Sequence, residues 1–218
     1  MTLSVLGRDP NTGEFGICSF TSSPAHGQRC PNVKKGIGVV ASQGITHRSH
    51  GDTCMALMGL GIEPEHALYL SKLRDQNIDA RQIALLPLTG HPTAFTGAAV
   101  RDSKGHICGD DFIVAGNFLK NRQVLAAAAE AFVTSSGELA LRLLDACAAA
   151  EHAGGEHGGS LSSFLIVTHP DELSGWGNHV DLRIDYMPHV LSGMRVALRQ
   201  YNTWVINRMM DPLSTLAR

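Results

Sequence analysis

The sequence predicts an α+β protein in which two packed sheets lie between layers of helices. Three observations predict it. Strand-like and helical segments come in separate runs (strands, two helices, strands, two helices, strands, helix) and do not alternate as βαβ units. The 218 residues are enough to bury roughly 70% of the extended surface around one substantial core. No repeat or low-complexity linker divides the chain, so residues 1–218 are read as one domain.

The first elements are extended. "TLSVLGR" and "EFGICSFT" flank "DPNTG", whose Pro10, Asn11 and Gly13 are turn formers, and together they predict a hairpin at the start of the chain. "SSPAHGQRCPN" reads as a loop. "VKKGIGVVASQG" is a short apolar run between glycines, the pattern of a buried strand that the basic pair Lys34-Lys35 begins.

Helical spacing follows from His50 to about Leu60. A second helix is predicted in "GIEPEHALYLSKLR", with Pro64 in its first turn and Ala67, Leu68 and Leu70 on its apolar side. "RQIALLPL" is a buried strand, "TGHP" turns it into "TAFTGAAV", and "DSKG" turns again into "HICGDDFIVAGNFL". Alanine-rich "NRQVLAAAAEAF" has high helix propensity. "SSGELALRLLDACAAAEH" carries Ser135 and Glu138 at capping-box spacing, with Gly137 counting against the box. "AGGEHGGS" is a loop, and "LSSFLIVTH" and "HVDLRID" are strands. A C-terminal helix is predicted over about 188–210. Its stripe of Leu191, Met194, Leu198, Tyr201 and Val205 faces either the protein's own core or a second copy of the chain.

Composition excludes several classes. The chain is 44% hydrophobic and 17% charged, with net charge −2 at pH 7. Such a balance gives no electrostatic footprint for nucleic acid or anionic lipid. No run approaches the ~18 apolar residues of a membrane span. Arg8 and Asp9 interrupt the first apolar stretch too early for a secretory signal. The five cysteines (Cys18, Cys30, Cys54, Cys108, Cys147) are odd in number and form no C-x-x-C pair, which points to a reducing compartment. The expectation is a cytoplasmic protein.

Familiar catalytic signatures are missing: no G-x-S-x-G, no G-x-x-x-x-G-K-[ST], no H-E-x-x-H and no helix-opening G-x-G-x-x-G. His47 and His50, His152 and His157, and "GDDF" at 109–112 have no spacing that fixes convergent ligands, so neither metal nor cofactor is expected.

The start of the chain offers chemistry of another kind. Thr2 follows the initiator methionine, and a small second residue permits its removal. The freed α-amine would have a pKa near ~7.7–8.0, so part of it is neutral at physiological pH. It could take the proton of the Thr2 hydroxyl, a nucleophile that carries its own base. A lysine nearby, Lys34, would lower the amine's pKa by like-charge repulsion. Main-chain N–H groups around Gln43 and Gly44, at the end of a strand where a helix is about to begin, could stabilise an oxyanion. The ordinary reading is that threonine is common at this position and that Lys34-Lys35 is a solvated strand entry.

Taken together, "MTLSVLGRDPNTGEFGICSF", "KKGIGVVASQG", "TAFTGAAVRDSKGHICGDDFIVAGNFL" and "HVDLRID" resemble the family called domain of unknown function 1028, from Thr2 to about Asp185. That family is placed in the N-terminal-nucleophile (Ntn) hydrolase clan. The resemblance implies a four-layer αββα sandwich of two mainly antiparallel sheets, with Thr2, Lys34, Gln43, Gly44 and Asn117 as the catalytic group. It implies substrate contacts from Ser4, Thr21, Ser22 and His47. The sequence departs from the family's arginine at Ser22, its Asn-Pro at His47-Arg48, its Asp-Arg at Glu156-His157 and its glutamine at Leu161.

Two functions are expected from this. One is Ntn-type hydrolysis of an amide or related C–N bond in a small molecule or peptide, with Thr2 as nucleophile. The alternative is a non-catalytic binding or assembly protein on the same fold. A homo-oligomer, dimer or higher, is expected in either case.

Overall fold

The computed structural model of the chain describes residues 2–169 and 179–210, with side chains to residue 206. The expected loss of Met1 concerns a residue outside that set.

Among the described residues, ten strands form two antiparallel sheets. β1 (Thr2–Arg8) and β2 (Phe15–Thr21) make the N-terminal hairpin. With β7 (Gly105–Cys108), β8 (Phe112–Asn117), β9 (Ser162–Thr168) and β10 (Val180–Ile184) they build a six-stranded sheet in the order β10-β9-β2-β1-β8-β7. The second sheet runs β3-β4-β5-β6: β3 (Pro31–Lys34), β4 (Gly38–Gly44), β5 (Arg81–Pro87) and β6 (Thr93–Thr96). Among the described residues six α-helices complete the fold: α1 (His26–Arg29), α2 (Arg48–Gly59), α3 (Pro64–Lys72), α4 (Gln123–Thr134), α5 (Leu139–His152) and α6 (Val190–Met210).

Strand alternation explains the layering. In β1, Leu3 and Val5 pack with Cys18, Phe20, Val114 and Leu165 against α4, α5 and α6. Leu6 points the other way, and with Ile17, Ile113 and Phe164 it meets Val39, Ala41, Ala84 and Leu86 of the second sheet. The far face of that sheet presents Val40, Ile83 and Leu85 to Cys54, Met55, Ala67 and Leu68 of α2 and α3. Three apolar cores therefore separate helices, sheet, sheet and helices.

Several local expectations are corrected. The segment 22–32, read as a loop, holds α1 and the start of β3. The run "VKKGIGVVASQG" is two strands, because Gly36 at φ +76° makes a tight turn closed by the Ile37 amide on the Lys34 carbonyl. Lys34-Lys35 thus closes an edge strand and does not open a central one. "HICGDDFIVAGNFL" holds β7 and β8 on either side of a turn at 109–111, with the Gly109 amide bonded to the Phe112 carbonyl. The capping box at Ser135 is absent. Gly137 takes a left-handed conformation at φ +94°, Ser135 instead caps the end of α4, and α5 begins only at Leu139 after Glu138.

The C-terminal stripe faces the protein's own core: Leu191, Met194 and Leu198 are buried there, and Tyr201 packs beside them and donates to the His179 carbonyl at 2.6 Å. No helix among the described residues is long and apolar enough to cross a membrane.

Candidate functional site

Along the face where the sheets meet, every central strand changes character toward the same end. β1 reads Leu6, Ser4, Thr2; β2 reads Ile17, Ser19, Thr21; β8 reads Ile113, Ala115, Asn117. In the second sheet β4 reads Val39, Ala41, Gln43 and β5 reads Leu86, Ala84, Gln82. Register aligns the polar ends: Thr2 opposes Asn117, Ser4 opposes Ser19, and Gln43 opposes Gln82. A dry inter-sheet core thus becomes, within two residues per strand, a buried polar cluster.

Buried polar groups cost free energy unless paired, and these are paired in one direction. Ser4 Oγ donates to Gln43 Oε1 at 2.6 Å. Gln43 Nε2 donates to Gln82 Oε1 at 2.8 Å and to the Ala115 carbonyl at 3.2 Å. Gln82 Nε2 ends the run on Thr96 Oγ1 and on the Gly105 and Gly116 carbonyls. At the other end, Ser19 Oγ lies 2.7 Å from Ser4 Oγ, 2.7 Å from the Leu3 carbonyl and 2.8 Å from His26 Nε2. The Ser4 proton is used on Gln43, so Ser4 can only accept from Ser19, and the hydrogen between Ser19 and His26 Nε2 sits on the ring or on the hydroxyl according to the imidazole tautomer. Burial, aided by Arg29, lowers the His26 pKa to about 3, so the ring is neutral.

Thr2 lies at the edge of this network. Its Oγ1 is 3.4 Å from Thr21 Oγ1. Its strand partner Asn117 donates from Nδ2 to Gln82 Oε1 at 2.9 Å. Asn117 also borders a cleft of about 260 Å³ together with Gly44, Ile45, Ala80, Val100 and Arg101. Gly44 sits at φ +83°, and a Cβ there would come within 2.7 Å of the Ala80 carbonyl, so glycine is required at the mouth. Beyond Asn117 the chain passes through Phe118 at φ +55°, an unusual conformation for a bulky residue. Its ring is flanked by the Arg101 guanidinium and the His157 ring.

The structure therefore brings together Thr2, Ser4, Thr21, Gln43 and Asn117, puts Gly44 at the adjoining cleft and leaves Ser22 half-buried next to Thr21. Two expected members lie elsewhere. Lys34 is exposed opposite Gly38, five residues before Gln43 along β4 and so roughly 16 Å from the polar cluster. It cannot act on an amine at Thr2. It lines a different and larger groove, about 500 Å³, with Asn32, Arg48, Asp181 and Arg183. His47 is exposed ahead of α2, bonded through Nδ1 to Ser49 Oγ, and it opens onto a groove with His50 and Asp75. The oxyanion expectation also narrows. Both Gln43 Nε2 hydrogens are committed, and the Ile45 amide after Gly44 is bonded to the Ala80 carbonyl. Asn117 Nδ2 has a second hydrogen beyond its bond to Gln82.

Sequence reading missed His26, Ser19, Gln82 and Glu156. The first was assigned to a loop. Ser19 and Gln82 were polar interruptions in apolar strands, a signal that gains meaning only once register stacks them. Glu156 is 2% exposed in the loop between α5 and β9, and its Leu119 partner lies two residues past Asn117. Burial raises its pKa to about 7. Among the described residues no three His, Cys, Asp or Glu side chains converge as a metal site requires.

These features define a mixed α/β protein of two stacked antiparallel sheets with a polar cluster at one end of their interface. Residues 2–193 match the family described as "Family of unknown function (DUF1028)", and the chain belongs to that family. It is similar to a crystal structure of a Silicibacter pomeroyi protein of the same family, at 36% identity and TM-score 0.84, over 93% of this chain and 86% of that one. No curated protein matches the chain significantly.

Proposed function

We propose that the protein is an Ntn-type hydrolase of an amide or related C–N bond in a small molecule or peptide, with Thr2 as the first residue after loss of Met1. One observation carries this reading. The Thr2 hydroxyl stands at the polar end of the inter-sheet face, strand-paired to an asparagine that borders an open cleft. On this reading the stacked layers are the αββα sandwich of the Ntn clan.

In the reaction, Thr2 Oγ1 attacks a carbonyl carbon held in the cleft as its proton passes to the neutral α-amine. The second Asn117 Nδ2 hydrogen bonds the developing oxyanion. The proton then goes to the leaving nitrogen, and water releases the acyl group from Thr2. Arg101 at the cleft favours substrates that carry a carboxylate near the scissile bond. Cytoplasmic location and a homo-oligomeric state belong to the same reading.

The test has two parts. Intact mass of protein made without an N-terminal tag should show loss of one methionine. An electrophilic amide or lactone should then label Thr2 covalently, with no labelling in Thr2→Ala. Retention of Met1 in the native cell sinks the proposal. It would favour the second reading, a non-catalytic binding or assembly protein, which the remoteness of Lys34 from Thr2 already supports.

A further inference from the structure

Glu156 poses a problem that the proposed reaction does not use. Its side chain is 2% exposed, and neither carboxylate oxygen has a hydrogen-bond partner. Among the described residues no cation pairs with it. An uncompensated carboxylate in such a place costs several kcal/mol or gives up its charge, in line with its upward-shifted titration. The positive charge of the chain's amino terminus opposes that shift most, and the Ser22 main-chain amide opposes it less.

Its surroundings say which cation would suit it. Three connections place Glu156 beside the start of β1. Thr2 pairs with Asn117, and two residues on Leu119 bridges to Glu156. The His157 amide bonds the Phe118 carbonyl and pins the same loop. On the other flank Thr21, in contact with Thr2, leads to Ser22, whose amide approaches the carboxyl. Glu156 is only 2% exposed and does not line the cleft, so it is placed to meet a group of the chain itself. The charged and titratable side chains around it are otherwise engaged. His26 is neutral on Ser19, Arg29 donates to Ser23, and Arg101 and His157 flank the Phe118 ring. The cation that fits is internal to the chain.

We propose that the Glu156 carboxyl is the partner of the Thr2 α-amine when Thr2 is the first residue. This rests on the proposed function for its first residue, not for its activity. The pair shares one proton. As an ion pair the proton is on nitrogen. When it passes to a Glu156 oxygen, the amine becomes neutral and free to accept the hydroxyl proton of Thr2. Glu156 is thus a positioning residue that acts through the amine.

The experiment uses full-length protein released from a cleavable leader so that it begins at Thr2, whatever the native cell does with Met1. The α-amine is titrated by the pH dependence of its acylation in wild type, Glu156→Gln and Glu156→Asp. The expected result is an amine pKa lower by about one unit in Glu156→Gln, a tenfold change in the ratio of neutral to protonated amine, with Glu156→Asp in between. Identical amine titrations in wild type and Glu156→Gln overturn the proposal. A second measurement needs no variant. Carbon-13 NMR of the wild-type Glu156 carboxyl, before and after α-amine acetylation, should show its pKa rise when the amine's charge is removed; no change also overturns it. If the amine and carboxyl prove coupled but no amide is hydrolysed and Thr2 is never labelled, the proposed function fails and the pairing stands.

Discussion

Ser4 Oγ donates a 2.6 Å hydrogen bond to Gln43 Oε1, joining the first strand of one sheet to the second strand of the other at the point where their common core turns polar. Both residues are buried, and Gln43 passes the connection on to Gln82. Ser4→Ala leaves Gln43 Oε1 buried with only the weak Cys30 thiol donor at 3.9 Å, at a cost of about 1–3 kcal/mol. In a chain of this length that corresponds to a thermal midpoint lower by roughly 2–4 °C per kcal/mol. Thermal unfolding followed by circular dichroism checks it. A midpoint unchanged within error would mean that the glutamine finds another donor.

Lys34→Ala should leave Thr2 untouched. The lysine is exposed at the far end of an edge strand, roughly 16 Å from the polar cluster by strand geometry, and water screens a charge at that distance. The expected result is the same rate of covalent labelling at Thr2 and a stability change within about 0.5 kcal/mol. A labelling rate reduced tenfold would restore the lysine to the site.

The fate of Lys34 shows what the sequence could reveal. Element types and order were legible because apolar spacing and turn residues are local: the N-terminal hairpin, α2, α3, α4, β5 and the core-facing stripe of α6 all stand where those signals put them. What failed depended on single backbone conformations. Gly36 turned one expected strand into two and carried Lys34 away from Thr2, and Gly137 removed a capping box. Thr2 and Gln43 were legible from the chemistry of the chain's start and of a strand end, whereas Ser4, Thr21 and Asn117 entered through a family resemblance. The physical basis of their cluster, a shared polar end on every strand, belongs to register and cannot be read one strand at a time. His26 and Glu156 arrive from loops, where no periodicity marks a buried side chain.

Two buried groups give the protein opposite pH dependences. His26 has a folded pKa of about 3 against 6.5 for the free ring. Its contribution is fully present above pH 6.5 and is lost as pH falls toward 3, at most about 5 kcal/mol for the shift. Glu156 has a folded pKa of about 7 against 4.5. Its contribution is fully present below pH 4.5 and is lost as pH rises through 7, at most about 3 kcal/mol. Between pH 4.5 and 6.5 the slopes oppose each other. Urea unfolding across pH 4–8 should show His26→Gln less sensitive to acid than wild type and Glu156→Gln less sensitive to the rise toward pH 8. Parallel curves for all three proteins would mean that neither group titrates as its burial dictates.

Asn117 is the most exacting test of the proposed chemistry, because structure and reaction ask different things of its two amide hydrogens. One is bonded to Gln82 Oε1 at 2.9 Å and supports the network; the other is not used in that bond, and Asn117 borders the cleft. Asn117→Asp and Asn117→Ala both remove the two together, so each should lose about 0.5–1.5 kcal/mol of stability, because Gln82 Oε1 loses one of its two donors and keeps Gln43 Nε2. If the second hydrogen stabilises an oxyanion, kcat on a hydrolysed amide should also fall by about 10²–10³ with little change in KM, because that bond strengthens only as charge develops on the carbonyl oxygen. Gln82→Leu separates the two roles. It also breaks the network, and should cost similar or greater stability while leaving an Asn117 amide free to reach the cleft. A kcat loss in Gln82→Leu equal to that in Asn117→Ala would reduce the asparagine to a structural tie. A kcat loss confined to the Asn117 variants would assign it the oxyanion.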